Sequence, residues 1–316
     1  MNRIDREDLF LKTLINGRSV KGIGDDAVAI GKCVFAADSF VEGSHFKREW
    51  FSLREIAFKS LSVNVSDIYA MGAVPRYALL CITIPKSLSA TDVCHLAEAV
   101  DAACLHYGIL LVGGDSIVSP LLGFHWTLIG QKMSQQYSNQ VAYQILHSPT
   151  SQPRFQNCLE SSSYRWVMRK GVKRGDIFAF SGTIGDSKKT FQCLMRQNKF
   201  ENSQSRRNQR FKQPIPHSVI TLPLRDCLHA GIDISDGLAF ELRRLCKQNH
   251  CGVRMLRKFS SHQMQSGEEY EMLFAIPRQK WLKSKRIAKR FRLPLNAFGV
   301  AIRGVYKPYL RGHYAG

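Results

Sequence analysis

The sequence predicts an α+β fold in two domains, and three observations predict it. The chain of 316 residues is long enough for two cores of ordinary size. Residues 1–131 alternate strand and helix patterns without the long parallel series of a doubly wound sheet, which is ferredoxin-like in style. A polar stretch, 132–165, has no hydrophobic period. Strand and helix patterns resume beyond it, in residues 166–316.

Taken in order, Asp5 to Leu14 has early acids and apolar Leu9, Phe10 and Leu14, the signature of a helix. Gly22 to Asp26 is a turn. Val28-Ala-Ile30, Gly31-Lys32 and Cys33 to Ala37 form a hairpin whose second strand delivers Asp38 at its end. Leu53 to Met71 is an amphipathic helix with a stripe of Ile56, Ala57, Leu61, Val65 and Ile68. Asn64, Asp67 and Met71 share one of its faces. Gly72 ends this helix and Pro75 forbids its return. A strand at 77–84, a helix at 89–107, a buried strand at 109–112 running into Gly113-Gly114-Asp115, and a strand at 123–129 complete the first domain. Residues 132–165 are expected to be an insertion or linker. In the second domain a turn at Arg169 to Asp176 feeds a strand at 177–181 and a helix to about Met195. The basic, polar run 198–213 is expected to add little to either core. Strands are expected at 253–256, 272–276 and 298–302, with a basic helix at 281–290.

Charge and cysteine usage narrow the class. The net charge of +20 and pI near 9.8 favour anionic partners such as nucleotides, nucleic acid or membrane surfaces. Nine cysteines, an odd number without a C-x-x-C pair, predict reduced thiols and a cytoplasmic protein. No apolar run reaches the ~20 residues of a membrane span.

The chemistry concentrates in Ala230-Gly-Ile-Asp-Ile-Ser-Asp-Gly-Leu238, a strand that ends in carboxylates and turns at once into a helix. Asp233 and Asp236 with Ser235 between them make a hard-oxygen site suited to Mg²⁺. Ser235 and Asp236 equally fit an ordinary helix N-cap. Further acidic islands lie beside glycines: Gly22-Ile-Gly-Asp-Asp-Ala27, Ala37 to Phe46, Asn64 to Ala73, Gly113 to Ser116 and Ser266-Gly-Glu-Glu-Tyr-Glu271. Carboxylates repel phosphate unless divalent cations sit between them. Transfer between two phosphates is the extreme case, because donor and acceptor are both anions. No P-loop and no protein-kinase signature is present, so nucleotide binding has to run through metal and backbone amides. Taken singly, Asp25 and Asp26 fit a turn, and Arg169 fits a solvated basic turn with Lys170, Lys173 and Arg174.

The order of these islands resembles thiamine-monophosphate kinase, a family within the ATP-using superfamily of aminoimidazole ribonucleotide synthetase. The likeness runs from about Asp5 to Phe298. It implies a ferredoxin-like N-terminal domain and an α/β C-terminal domain that closes over the site. It also implies a homodimer paired through the first domains, with thiamine monophosphate and ATP as substrates and several Mg²⁺ ions. Residue by residue, it implies Asp26, Asp38, Asp67, Asp115, Asp233 and Asp236 as metal ligands. Gly114, Asp115, Arg169 and Ser235 would face ATP. His45 and Glu268 would face the acceptor, with Tyr314 as a candidate stacking aromatic. The sequence departs from the family at Ala36 and Ala37, where hydroxyl residues are usual, and at Ser266 and Glu269.

Two other readings stand beside this one. Another synthetase of the superfamily is the first, although a selenophosphate synthetase would carry a Cys in its N-terminal loop and residues 1–20 hold none. The second is a basic nucleic-acid-binding protein on a lapsed enzyme scaffold, supported by Arg206 to Lys212. The aromatics do not interleave with these cations as a stacking platform would, so a nucleic-acid partner is not expected.

Overall fold

The computed structural model describes residues 6–16, 19–20, 23–147, 165–197 and 210–306. Two five-stranded sheets organise them. The first is built from β1 (Val28–Ile30), β2 (Cys33–Val41), β3 (Val74–Ile84), β4 (Leu110–Val118) and β5 (Gly123–Gln131), in the order β1-β2-β5-β3-β4. Only the β3/β4 pair is parallel. The second contains β6 (Ile177–Ser181), β7 (Ala230–Asp233), β8 (Cys251–Met255), β9 (Met272–Ile276) and β10 (Leu295–Arg303), in the order β7-β9-β6-β10-β8. Its pairings are all antiparallel.

The longer helices among the described residues are α1 (Arg6–Ile15), α2 (Leu53–Ala70), α3 (Ala90–Tyr107), α4 (Gln135–His147), α5 (Asp186–Gln197), α6 (Leu238–Gln248) and α7 (Trp281–Arg290). The spine is α2. A capping box starts it: the Glu55 amide donates to Ser52 Oγ, and the Ser52 amide donates to the Glu55 carboxylate at 2.8 Å. Its apolar stripe packs on β2 and β5, a second face packs on α3, and a third meets the C-terminal half near β7. Beyond its first turn this helix has no exposed residue, so its polar residues must find partners within the protein. Ser60 Oγ accepts from Trp126 Nε1 at 3.0 Å, Ser62 bonds the Tyr107 hydroxyl at 2.7 Å, and Ser66 donates to Asp233 Oδ2 at 2.9 Å.

A continuous core joins the two halves, from Ile56, Val65 and Trp126 to Val219, Met272 and Phe274. A separate cluster of Phe178, Ile232, Leu242 and Phe298 lies between the other face of the second sheet and α6.

The structure corrects several expectations. Residues 135–147 fall within the expected insertion, yet they form α4 and bury Tyr137, Val141 and Ile145. The apolar residues recur at i, i+4 and i+8, a helical period hidden among Gln, Ser and Asn. From the basic run, Phe211 is buried and stacks on Phe51, with ring centroids 5.9 Å apart. The strand expected to stop before Gly113 continues to Val118. Asp38 sits inside β2 rather than at its end.

Candidate active site

Three carboxylates from distant parts of the sequence meet between the halves. Asp26 comes from the turn before β1, Asp67 from α2, and Asp233 from the last position of β7. One oxygen from each lies within 4.8 Å of the others. Burial pushes the carboxyls of Asp67 and Asp233 well above the usual range. Repulsion adds to it, from Asp233, Asp26 and Asp38 on Asp67, and from Asp26 and Glu241 on Asp233. Asp26 is raised by burial as well, with Arg169 pulling the other way.

Arg169 closes the turn that carries Asp26. Its guanidinium donates to Asp26 Oδ1 at 2.5 and 3.0 Å and to the Gly24 carbonyl at 3.3 Å, while its amide donates to Asp25 Oδ1 at 2.7 Å. This residue is bound into the site, so the solvated-turn alternative for it fails. One guanidinium and the Ser66 hydroxyl do not neutralise three crowded carboxylates, of which Asp233 is buried and Asp26 and Asp67 are half-buried. On the Asp67 face of α2, Asn64 Oδ1 is buried without any donor. Three crowded carboxylates and a spare amide oxygen are the donor set of a hard divalent cation, so the residues fit Mg²⁺.

Two more of the expected acids lie at the margin of this triad. Asp38 is raised by burial, with repulsion from Asp236 adding and His45 opposing. Asp236 pairs with Arg244 at 2.7 Å. Neither Ser235 nor Asp236 caps α6, whose N-cap is Gly237 at φ 111° with no side-chain bond. The N-cap alternative therefore does not account for either residue. Glu241, which stands in no acidic island of the sequence, is fully buried behind them. It accepts from the Asp236 amide at 3.2 Å and from Arg244 at 2.9 Å. Burial raises its carboxyl to about 7 despite Arg244. An acid in the first turn after a carboxylate-rich strand end was the available signal.

Asp115 does not join the triad. Asp38 pairs with Trp126, Trp126 with Leu80, and Leu80 with Gly114, so one row crosses the sheet. Three strand spacings of ~4.8 Å put β4 roughly 14 Å from Asp38. Gly114 has a structural reason to be glycine: at φ 148° an added Cβ would lie 1.8 Å from the Leu80 carbonyl oxygen.

Beside the triad opens a cavity of about 340 Å³, lined by His45, Ser235 and Glu268 together with Trp50, Phe191, Phe211 and Phe240. His45 Nδ1 accepts the Val41 amide at 3.0 Å, which leaves the ring proton of the neutral imidazole on Nε2. Glu268, at φ 54°, is held in place by its backbone N–H, which donates to the Ser235 carbonyl at 2.6 Å. Its carboxylate accepts from Lys59 at 3.2 Å. Lys59 is fully buried over the Phe211 ring at 3.7 Å, and burial lowers its pKa although Glu268 opposes this. The aromatic wall was not foreseen, because its four rings come from separate segments. Tyr314 lies outside the described residues.

Comparison with known proteins places this geometry. Residues 24–130 match the family described as AIR synthase related protein, N-terminal domain. The thiamine-monophosphate kinase of Aquifex aeolicus is 26% identical over 297 residues, which cover 87% of this chain and 85% of that protein. That of Salmonella typhimurium is 28% identical over 284 residues, covering 81% and 76%. The solved structure of AaThiL complexed with AMPPCP and TMP has a TM-score of 0.77 at 23% identity and covers 99% of both chains. The chain is thus similar to thiamine-monophosphate kinases over most of its length and shares their fold.

Proposed function

We propose that this chain is a thiamine-monophosphate kinase, transferring the γ-phosphate of ATP to the phosphate of thiamine monophosphate to give thiamine diphosphate. The observation that carries the reading is the convergence of Asp26, Asp67 and Asp233 beside a cavity lined by His45 and Glu268. Asp26, Asp67 and Asp233, with Asp38 and Asp236 at the margin, would hold Mg²⁺, which would supply charge neutralisation for the phosphates. Arg169 orients Asp26 and keeps a positive charge at the phosphate side. The His45 Nε2 proton is a donor for the acceptor phosphate. Glu268 and the Trp50–Phe191 pair, edge to face with centroids 6.1 Å apart, provide a carboxylate and ring faces for the thiazolium cation. Phe211 is less suited to that task, since Lys59 already occupies one of its faces.

The test is a substrate panel of thiamine monophosphate, free thiamine, formylglycinamidine ribonucleotide and selenide, each with ATP and Mg²⁺. Turnover of thiamine monophosphate alone is expected, and preference for any of the others overturns the assignment. His45→Ala should raise the KM for thiamine monophosphate roughly tenfold, the worth of one phosphate hydrogen bond, with little change in the KM for ATP. Equal changes in both would remove His45 from the acceptor side.

The reading includes a homodimer and a cytoplasmic location. The β4 edge supports the dimer: Leu111, Val112 and Ile117 are 44%, 56% and 55% exposed on an edge strand that also carries Gly114 and Asp115. A second copy covering this edge would bury both nucleotide-side candidates at the interface. Val112→Lys together with Ile117→Lys is expected to yield a monomer by analytical ultracentrifugation, and a dimer that survives both changes rules this edge out. No described helix is long and apolar enough to cross a membrane.

A further inference from the structure

Forty-five basic residues exceed the acids by twenty, and the candidate active site uses few of them. Much of the surplus gathers at one place. Residues 278–294, which include α7, hold eight Lys or Arg and no Asp or Glu. Ser284, Ala288, Phe291, Leu293 and Leu295 anchor this segment, so the cations are turned outward. Lys285, Arg286, Lys289 and Arg292 line a groove of about 520 Å³ with Leu282, Leu293, Pro294 and Leu295. It shares no lining residue with the cavity beside the triad. Among the described residues, no carboxylate forms an ion pair with any of these four cations. Lys285 Nζ lies 5.9 Å from the centroid of the Trp281 ring.

Against the expectation drawn from the sequence, which concerned a base-stacking platform at other cations, we propose that this groove is a docking site for the phosphate backbone of a nucleic acid, bound without readout of the bases. Charge complementarity names a polyanion: unpaired cations repel one another, and a line of phosphates relieves that repulsion while releasing counterions. Apolar content chooses among polyanions: an anionic membrane asks for several apolar side chains to insert, and of the leucines lining the groove Leu293 and Leu295 are buried and Leu282 alone protrudes, 65% exposed. Arg286 and Arg292 offer the planar forks that suit phosphate. The ten residues of α7 span ~15 Å, about four phosphates of one strand at ~3.4 Å each. No aromatic lines the groove, so the bases have nothing to stack on and sequence preference is absent.

The experiment measures fluorescence anisotropy of a labelled twenty-nucleotide oligothymidylate with the full chain, over a salt series. The comparison protein is the triple variant Lys285→Glu, Arg286→Glu, Lys289→Glu, whose changes are exposed and lie outside the lining of the candidate active-site cavity. Wild type is expected to bind at 50 mM salt. The variant is expected to bind roughly 100-fold more weakly, with a salt slope smaller by about two for three lost phosphate contacts. Turnover of thiamine monophosphate should stay unchanged, which separates loss of docking from loss of fold. Equal binding by wild type and variant overturns the proposal, as does no binding at 50 mM salt. Tighter binding to phosphatidylserine vesicles or to polyglutamate at equal charge overturns it in favour of a membrane or an acidic protein.

Discussion

Asp67→Asn is expected to lower turnover roughly 100-fold or more, the scale of losing one anchor of a metal-assisted phosphoryl transfer. The same change should make the metal-free protein more stable. Asp67 is enclosed by burial and by three other carboxylates, and its carboxyl is raised well above the usual range. A raised acid binds its proton more tightly when folded than when unfolded. The contribution of Asp67 to metal-free stability is therefore fully present below the unfolded value of 3.8 and is lost as pH rises through the raised folded value. Asparagine keeps the shape and removes the charge, so at pH 8 in EDTA the variant should melt about 3 °C higher than wild type. At pH 5 the gap should shrink. Magnesium reverses the order: at pH 8 it should raise the melting temperature of wild type and barely move the variant. Equal magnesium shifts in the two proteins would exclude Asp67 from the metal site.

The sequence exposed the triad because each member sits in a short motif with its own local logic. Gly24 frees the turn before Asp26, α2 carries Asp67 with Asn64 on the same face, and β7 ends on Asp233. What it hid are contacts between segments. Lys59 under Phe211, Glu241 behind Asp236, and the ring wall of the cavity each join residues with no sequence relation. Composition misled in two places. Gln and Ser around Tyr137 and Val141 concealed α4, since only a third of a surface helix needs to be apolar. The glycines beside Asp115 suggested a strand end, but β4 runs through them, with a bulge between Leu111 and Gly113.

Arg210→Ala is expected to destabilise the fold by about 3–5 kcal/mol, the scale of breaking a buried ion pair from one side. By sequence Arg210 belongs to a polar, basic run with no visible link to a core. In the structure its guanidinium lies 2.7 Å from Glu271 Oε1 and 3.5 Å from Glu269 Oε2, and both glutamates are wholly enclosed. It also donates to the Glu269 carbonyl at 2.9 Å and to Thr183 Oγ1 at 2.9 Å, tying β6 to the loop that presents Glu268. Burial alone would raise the Glu271 carboxyl, but His217, Arg210 and Ser181 together hold it below the usual range. A depressed acid stabilises the fold above its unfolded value of 4.5, and this contribution is lost as pH falls through the folded value. Removing Arg210 weakens that hold, so the deficit of the variant against wild type should narrow on acidification towards pH 4, where the stranded carboxylates protonate. Arg210→Lys keeps the charge without the fork and should recover part of the loss. Urea denaturation at pH 7.5 and pH 4.5 measures both effects. A loss below about 1 kcal/mol at pH 7.5, the worth of an ordinary surface pair, would mean that Arg210 is a solvated cation after all.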